Sequence, residues 1–382
     1  MSEYQYYEFQ AIDHPLTKKQ MDELRACSSR AQITPSSFVN VYNWGDLKGN
    51  PERWMEKYFD AFLHVANWGT RWFMLRLPEK LLDQQVAAPY CSGESFSCRR
   101  KDDRVILSFQ SEDEDHEGEG GEGGEGMLAS IIPVRADLMH GDHRALYLGW
   151  LLAVQSGEID ADVPEPLVPP ELGDLNASLA GLAEFLRIDD DLIAAAAERS
   201  PRGVGPVSKA EIDAWVLNLP GGEKDALLAR LVAGEAPYLA AELHRRVREM
   251  RSAVGPAGSP RRTAGEIIAR AQDLAEARKK KETEQRALAK AKRELEQAEN
   301  RRKHLASLVG KEEILWVKVA SLIAARQTSC YDEAVSLLHD LQALADREGK
   351  SSEFSRRMTI LAGEHTRKPA LTDRFRKAKL GG

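Results

Sequence analysis

In its first part the chain keeps switching between the apolar period of a strand and that of a helix. Tyr6 to Ile12 is aromatic-rich and strand-like. Pro15-Leu16-Thr17 then opens a helix, with Thr17 as its cap and Met21, Leu24 and Cys27 at helical spacing. Ile33 to Trp44 is β-rich. Pro51 suits a first helical turn, and Trp54, Tyr58, Phe62 and Val65 follow at spacings that predict a helix. Arg71 to Leu77 reads as a strand stopped by Pro78. Residues 94–110 read as two strands joined by the turn Lys101-Asp102-Asp103. Helices interleaved with strands predict an α+β N-terminal domain over 1–160, built as a two-layer sandwich.

Beyond Pro133 the period is helical throughout. Helices are expected over 133–156, 175–186, 190–198, 209–218 and 223–250, with Asp189 and Ser208 as N-caps. Pro164, Pro166, Pro169 and Pro170 mark a stiff linker at 160–174, and 255–260 a second one. The pattern therefore predicts a helical domain over 175–252, a long charged projecting helix over 263–309, and a C-terminal helical cap over 311–380. On the long helix a 3-4 spacing joins Leu288, Ala291, Leu295, Ala298, Arg302, Leu305 and Val309. This is a coiled-coil-like seam, but Lys281, Glu284 and Arg302 fall where a coiled coil wants Leu or Ile. Burial is expected at Ile267, Leu274, Leu288, Leu295 and Leu305. Deleting 263–309 is expected to leave the front domain folded. Gly310 is expected to end the helix.

Charge divides the chain along the same lines. Residues 1–260 carry 26 Lys/Arg against 42 Asp/Glu, residues 261–310 carry 14 against 8, and residues 351–380 carry 8 against 3. An acidic front joined to a basic helical rear suggests a chain that docks onto something. The Asp/Glu/Gly tract 112–126 reads as a disordered acidic loop. The chain has no apolar run of the ~20 residues that span a bilayer. Its start, Met1-Ser2-Glu3-Tyr4, lacks a signal-peptide pattern, and its 4 cysteines do not make a disulfide framework. A cytoplasmic location is expected.

Candidate chemistry is sparse. Gly-rich phosphate loops and the Gly-x-Ser-x-Gly elbow are absent. Cys91, Cys98, His140 and His143 could make a Cys2His2 zinc site, though Cys-x6-Cys is wider than the usual knuckle. Cys91 with His143 and Asp142 has the residue types of a nucleophile, base and orienter. Asp189-Asp190-Asp191 reads as a cap and first-turn carboxylates. Arg278-Lys279-Lys280-Lys281 and Arg301-Arg302-Lys303 could contact phosphates or a protein, among interspersed glutamates. Trp44, Trp54, Trp68 and Trp72 lie close in sequence. Two of them stand in similar turns, Asn43-Trp44-Gly45-Asp46 and Asn67-Trp68-Gly69-Thr70. If these turns meet, they define the best recognition surface on the front domain.

Tyr331 to Leu341, Arg367-Lys368-Pro369-Ala370-Leu371-Thr372-Asp373-Arg374-Phe375, the charged helix from Arg262 and Phe185 to Ala197 resemble the C-terminal region of bacterial SWIM zinc-finger-associated proteins. About half the chain is covered. The Cys-x-Cys and Cys-x-His zinc motif of that family is absent here. The resemblance implies a helical accessory part and no reaction.

These features predict a non-catalytic adaptor with a protein partner. Trp44, Trp68, Trp72, Arg278, Lys279, Lys280, Lys281, Arg301 and Arg302 are its candidate contacts. Self-association through 263–309 is compatible with the pattern. The alternatives are a nucleic-acid accessory factor using 261–310 and 351–380, and a zinc protein or enzyme using the Cys/His set.

Overall fold

The computed structural model describes residues 4–91, 93–112, 123–203, 208–252 and 261–380. Most of the acidic tract and the second linker lie outside them. The chain forms two compact units, residues 1–278 and 279–382.

The first unit begins β1 (Gln5–Gln10), α1 (Lys18–Cys27), β2 (Gln32–Thr34), β3 (Ser37–Tyr42), α2 (Pro51–Lys57), β4 (Ala61–Ala66), β5 (Arg71–Pro78), α3 (Gln84–Ala87), β6 (Phe96–Lys101) and β7 (Arg104–Ser111). The strands make one antiparallel sheet in the order β2-β3-β1-β4-β5-β7-β6. Thr17 caps α1 in a reciprocal box with Gln20, and Asn50 caps α2 ahead of Pro51. The helix expected to carry Trp54, Tyr58, Phe62 and Val65 ends at Lys57. Phe62 and Val65 belong to β4, where every residue is buried. A run buried on both faces has no alternation to betray its strand character, so the accidental i, i+4 spacing prevailed in the sequence.

After the sheet come α4 (Met127–Ile131), α5 (Val134–Met139), α6 (Arg144–Gln155), α7 (Ala177–Phe185), α8 (Asp190–Ala197), α9 (Lys209–Asn218), α10 (Gly221–Val232), α11 (Ala236–Ser252) and α12 (Ala264–Leu308). The helices expected over 133–156 and 223–250 are each broken at a left-handed glycine, Gly141 and Gly234. Helices cover both faces of the sheet, which corrects the two-layer expectation. On one face α1 and α2 pack Leu24, Trp54 and Met55 onto Phe9, Phe38 and Phe62. On the other, α4 to α8 pack onto Tyr6, Leu63, Phe73, Leu75, Leu107 and Phe109. Gly149 of α6 lies so close to Phe96 that an added Cβ would come within 2.5 Å of the ring. Phe96 is fully buried and has nowhere to move. Gly149→Ala is therefore expected to cost about 1–3 kcal/mol, although alanine favours a helix by about 1. Gly222→Ala in α10 meets nothing within 4 Å and should stabilise by about 0.4–1 kcal/mol. Paired thermal melts check the opposite signs.

The proline-rich segment does not separate two cores. Ala264, Ile267 and Ala271 of α12, with α7 and α8, share the core of the sheet. Backbone carbonyls of Ala161 and Val163 accept from the first-turn amides of Gly265 and Ala264. Thr263 and Glu266 complete a capping box. At the same junction Arg262 donates to Glu165 through two nitrogens and to the carbonyls of Ala195 and Ala196 at the end of α8. The start of α12 is thus part of the first unit. Deleting 263–309 would open that core, contrary to the expectation from sequence.

The second unit holds the rest of α12, then α13 (Glu312–Ala324), α14 (Thr328–Glu348), α15 (Ser351–Glu364) and α16 (Pro369–Lys377). Gly310, at φ +79°, follows the end of α12 as expected. Val319, Ile323, Ala334, Leu338, Met358 and Leu371 form its separate core. The architecture is an α+β N-terminal region followed by a helical region with a long helix.

Candidate functional site

The sheet face under α1 and α2 changes character along its strands. One row across it is Phe38, Phe9, Phe62 and Met74. The next is Asn40, Tyr7, His64, Trp72 and Gln110. β3, β1, β4 and β5 each place residues two apart in the two rows, because side chains alternate across the sheet. The apolar row takes the covering helices. The polar row leads to the end of the sheet where β1 starts.

Both Asn-Trp-Gly turns lie at that end. The first follows β3 and the second joins β4 to β5, so they flank β1 on its two sides. Gln5 donates its amide to Gly45 O at 3.2 Å and to Asp46 Oδ1 at 2.8 Å. Asn67 accepts from the Tyr4 amide at 3.0 Å and donates its own amide to the Tyr4 carbonyl. Gly45 and Gly69 sit at φ +74° and +105°, where a side chain would be strained. In these turns Trp44 is 77% exposed and Trp68 37% exposed. Trp54 is core. Trp72 is half-buried, with its indole N–H given to Ser108 at 2.8 Å.

Behind the turns lies a polar group that sequence patterning missed. The Tyr7 hydroxyl donates to Gln5 Oε1 at 2.6 Å, and His64 Nε2 lies 3.3 Å from the same oxygen. The Tyr7 and His64 rings stack at 4.2 Å. Since Gln5 Oε1 can only accept, Nε2 carries the proton and Nδ1 is left as a bare acceptor. Nδ1 is buried with no hydrogen-bond partner among the described residues. Burial lowers the His64 pKa to about 4 against a weaker opposing pull from Asp46. Burial, then Asp46, pushes Tyr7 up to about 12. The signal that could have found His64 was a lone polar residue in the apolar run 61–66, placed just before an Asn-Trp-Gly turn.

The other candidates scatter. Cys91 and Cys98 are neighbours, and their mutual hydrogen bond, followed by burial, pushes the Cys91 thiol up. His140 instead meets His244 edge-on at 5.7 Å, and His143 is the N-cap residue of α6. Among the described residues no three His, Cys, Asp or Glu side chains gather as a metal site. The nucleophile set does not assemble around Asp142, whose carboxylate is committed to Arg144 at 2.7–3.1 Å. Asp189 caps α8 as expected, and Asp191 takes Arg278 as an ion pair at 2.6 Å. Arg301 and His304 both bind the buried Asp340. Two of the candidate basic contacts, Arg278 and Arg301, are thereby engaged within the chain. Lys279, Lys280, Lys281 and Arg302 are exposed on α12.

Comparison with protein-family models, curated proteins and solved structures finds no match for this chain. Among the described residues no helix is long and apolar enough to cross a membrane.

Proposed function

We propose that this chain is a non-catalytic cytoplasmic adaptor. It binds a protein partner through the aromatic end of the sheet, with Trp44 and Trp68 as anchors. Its basic helical rear, including Lys279, Lys280, Lys281 and Arg302, engages a second partner or a second copy. The observation that carries this reading is Trp44. A tryptophan that is 77% exposed, on a turn that Gln5 ties down at Gly45 and Asp46, offers a large apolar surface on a held backbone. Such anchors dominate binding energy when a partner desolvates them, and a held turn loses little backbone entropy on docking.

The test is quantitative affinity purification of the full chain beside Trp44→Ala/Trp68→Ala and a surface control, Leu217→Ala. A partner held by wild type and control should fall at least about tenfold in the double variant, as hot-spot truncations of about 1.4 kcal/mol or more do. The melting temperature of Trp44→Ala alone should stay unchanged, since that side chain is mostly exposed. Equal recovery with all three proteins, or no partner at all, would sink the reading.

A further inference from the structure

We infer that the exposed face of α12 between residues 284 and 309 seats a second copy of this chain. The two α12 helices run antiparallel, with Leu295 of each opposite Ala298 of the other. This rests on the association half of the reading above and gives it an occupant and a direction.

The sequence pattern placed Leu288 and Leu295 among the buried residues. In the structure they are 71% and 68% exposed, and Val309 just past the helix is 50% exposed. They lie on one seam with Ala291, Ala298 and Leu305, at heptad spacing. The unit's own packing reaches that seam only towards its end, where Leu305 is half-buried and Arg347 of α14 stands beside Ala298, Arg302 and Leu305. Arg301 and His304, which bind Asp340 of α14, lie roughly 100° further round the helix. Two large apolar side chains in register on an otherwise charged helix need a partner with the same period.

Charge selects the partner and its direction. In a parallel pair of these helices Lys281, Glu284 and Arg302 would each face its own copy on the seam, and Glu294 would face Glu299 across its edge. Those are repulsions at four places along the pair. Setting Leu295 against Ala298 of an antiparallel copy removes all of them. Leu288 then meets Leu305, and Glu284 meets Val309. Arg302 meets Ala291, whose small side chain leaves room for the arginine stem. At the edges Glu294 lies beside Arg301 of the second copy, and Lys292 beside Glu299 of the second copy. Two-fold symmetry repeats both pairs. Arg301 keeps its contact with Asp340 while its side chain remains 47% exposed. The pairs that Glu294 and Glu299 make within the helix, with Lys290 and Lys303, are exposed and cheaply exchanged.

Sedimentation equilibrium of the full chain across a concentration series tests this. Wild type should dimerise, and Leu295→Gln should abolish the dimer without loss of helicity, since Leu295 is not part of the unit's core. Glu299→Lys and Lys292→Glu should each weaken the dimer about tenfold, because two attractions become two repulsions. The double swap should restore the dimer to within about threefold. In a parallel dimer Glu299→Lys would relieve Glu294 and tighten association, and that result would overturn the antiparallel seat while leaving association intact. A monomer at every concentration would overturn the seat and remove the second copy from the adaptor reading, leaving only a second partner for the rear. The aromatic end of the sheet would still answer to its own purification experiment.

Discussion

Arg262→Ala is expected to cost about 3–5 kcal/mol of first-unit stability, the range for breaking one side of a buried ion pair. The Arg262 and Glu165 side chains are 8% and 3% exposed. Glu165 accepts from two guanidinium nitrogens and from the hydroxyl of Tyr147, which is itself fully buried. Without Arg262 the carboxylate is left in the core with one neutral donor. The end of α8 is damaged too, because its carbonyls at 195 and 196 lose the cation that satisfies them and complements the helix dipole. Arg262→Lys should fail almost as badly, since an ammonium cannot reach Glu165 and two carbonyls with a planar fork. Replacing both partners, as Arg262→Met with Glu165→Leu, should recover most of the loss by removing both charges together. Urea unfolding followed by tryptophan fluorescence gives the comparison. A single-alanine loss below about 1 kcal/mol would show that the network does not hold α12 to the core.

The importance of Arg262 was hidden from the sequence for a reason that recurs. Short-range signals translated well. The Thr17 cap, Pro51 in a first turn, the Lys101-Asp102-Asp103 turn, the Asp189 and Ser208 caps and the Gly310 stop all depend on residues within a turn of each other. They appear where the pattern placed them. What failed depends on distant partners. Glu165 and Arg262 are 97 positions apart, so four prolines read as a linker although the segment closes a helix start. Phe62 and Val65 fit a helical wheel, and only pairing with β1 and β5 makes them a strand. On α12 the period of the seam was legible, but period alone does not say whether the face is covered by the same chain. The two Asn-Trp-Gly turns were the part of the site that local sequence exposed, and the sheet register brings them to the two sides of β1. His64 was not, because Gln5 and Tyr7 reach it only through strand pairing.

His64 makes the fold's stability depend on pH below neutrality. Its pKa falls from 6.5 in a free chain to about 4 in the folded protein, chiefly through burial. Above pH 6.5 the ring is neutral in both states, and the stability is fully present. As pH falls from 6.5 to about 4 the unfolded chain takes up a proton that the folded chain refuses, so folding loses ground throughout that window. A shift of this size corresponds to about 3 kcal/mol by pH 4. His64→Phe keeps a ring to stack on Tyr7, removes the unpartnered Nδ1 and carries no titrating group. Its urea-unfolding free energy should therefore fall less than that of wild type between pH 7 and pH 4.5, by about 2 kcal/mol. At pH 7 the variant should stay within about 1 kcal/mol of wild type, since losing the Nε2 contact to Gln5 is offset by removing a buried acceptor that nothing satisfies. The same protonation would put a positive charge beneath the aromatic end of the sheet. Parallel pH profiles for the two proteins would show that His64 titrates alike in the folded and the unfolded chain, as it would if the polar row were open to water.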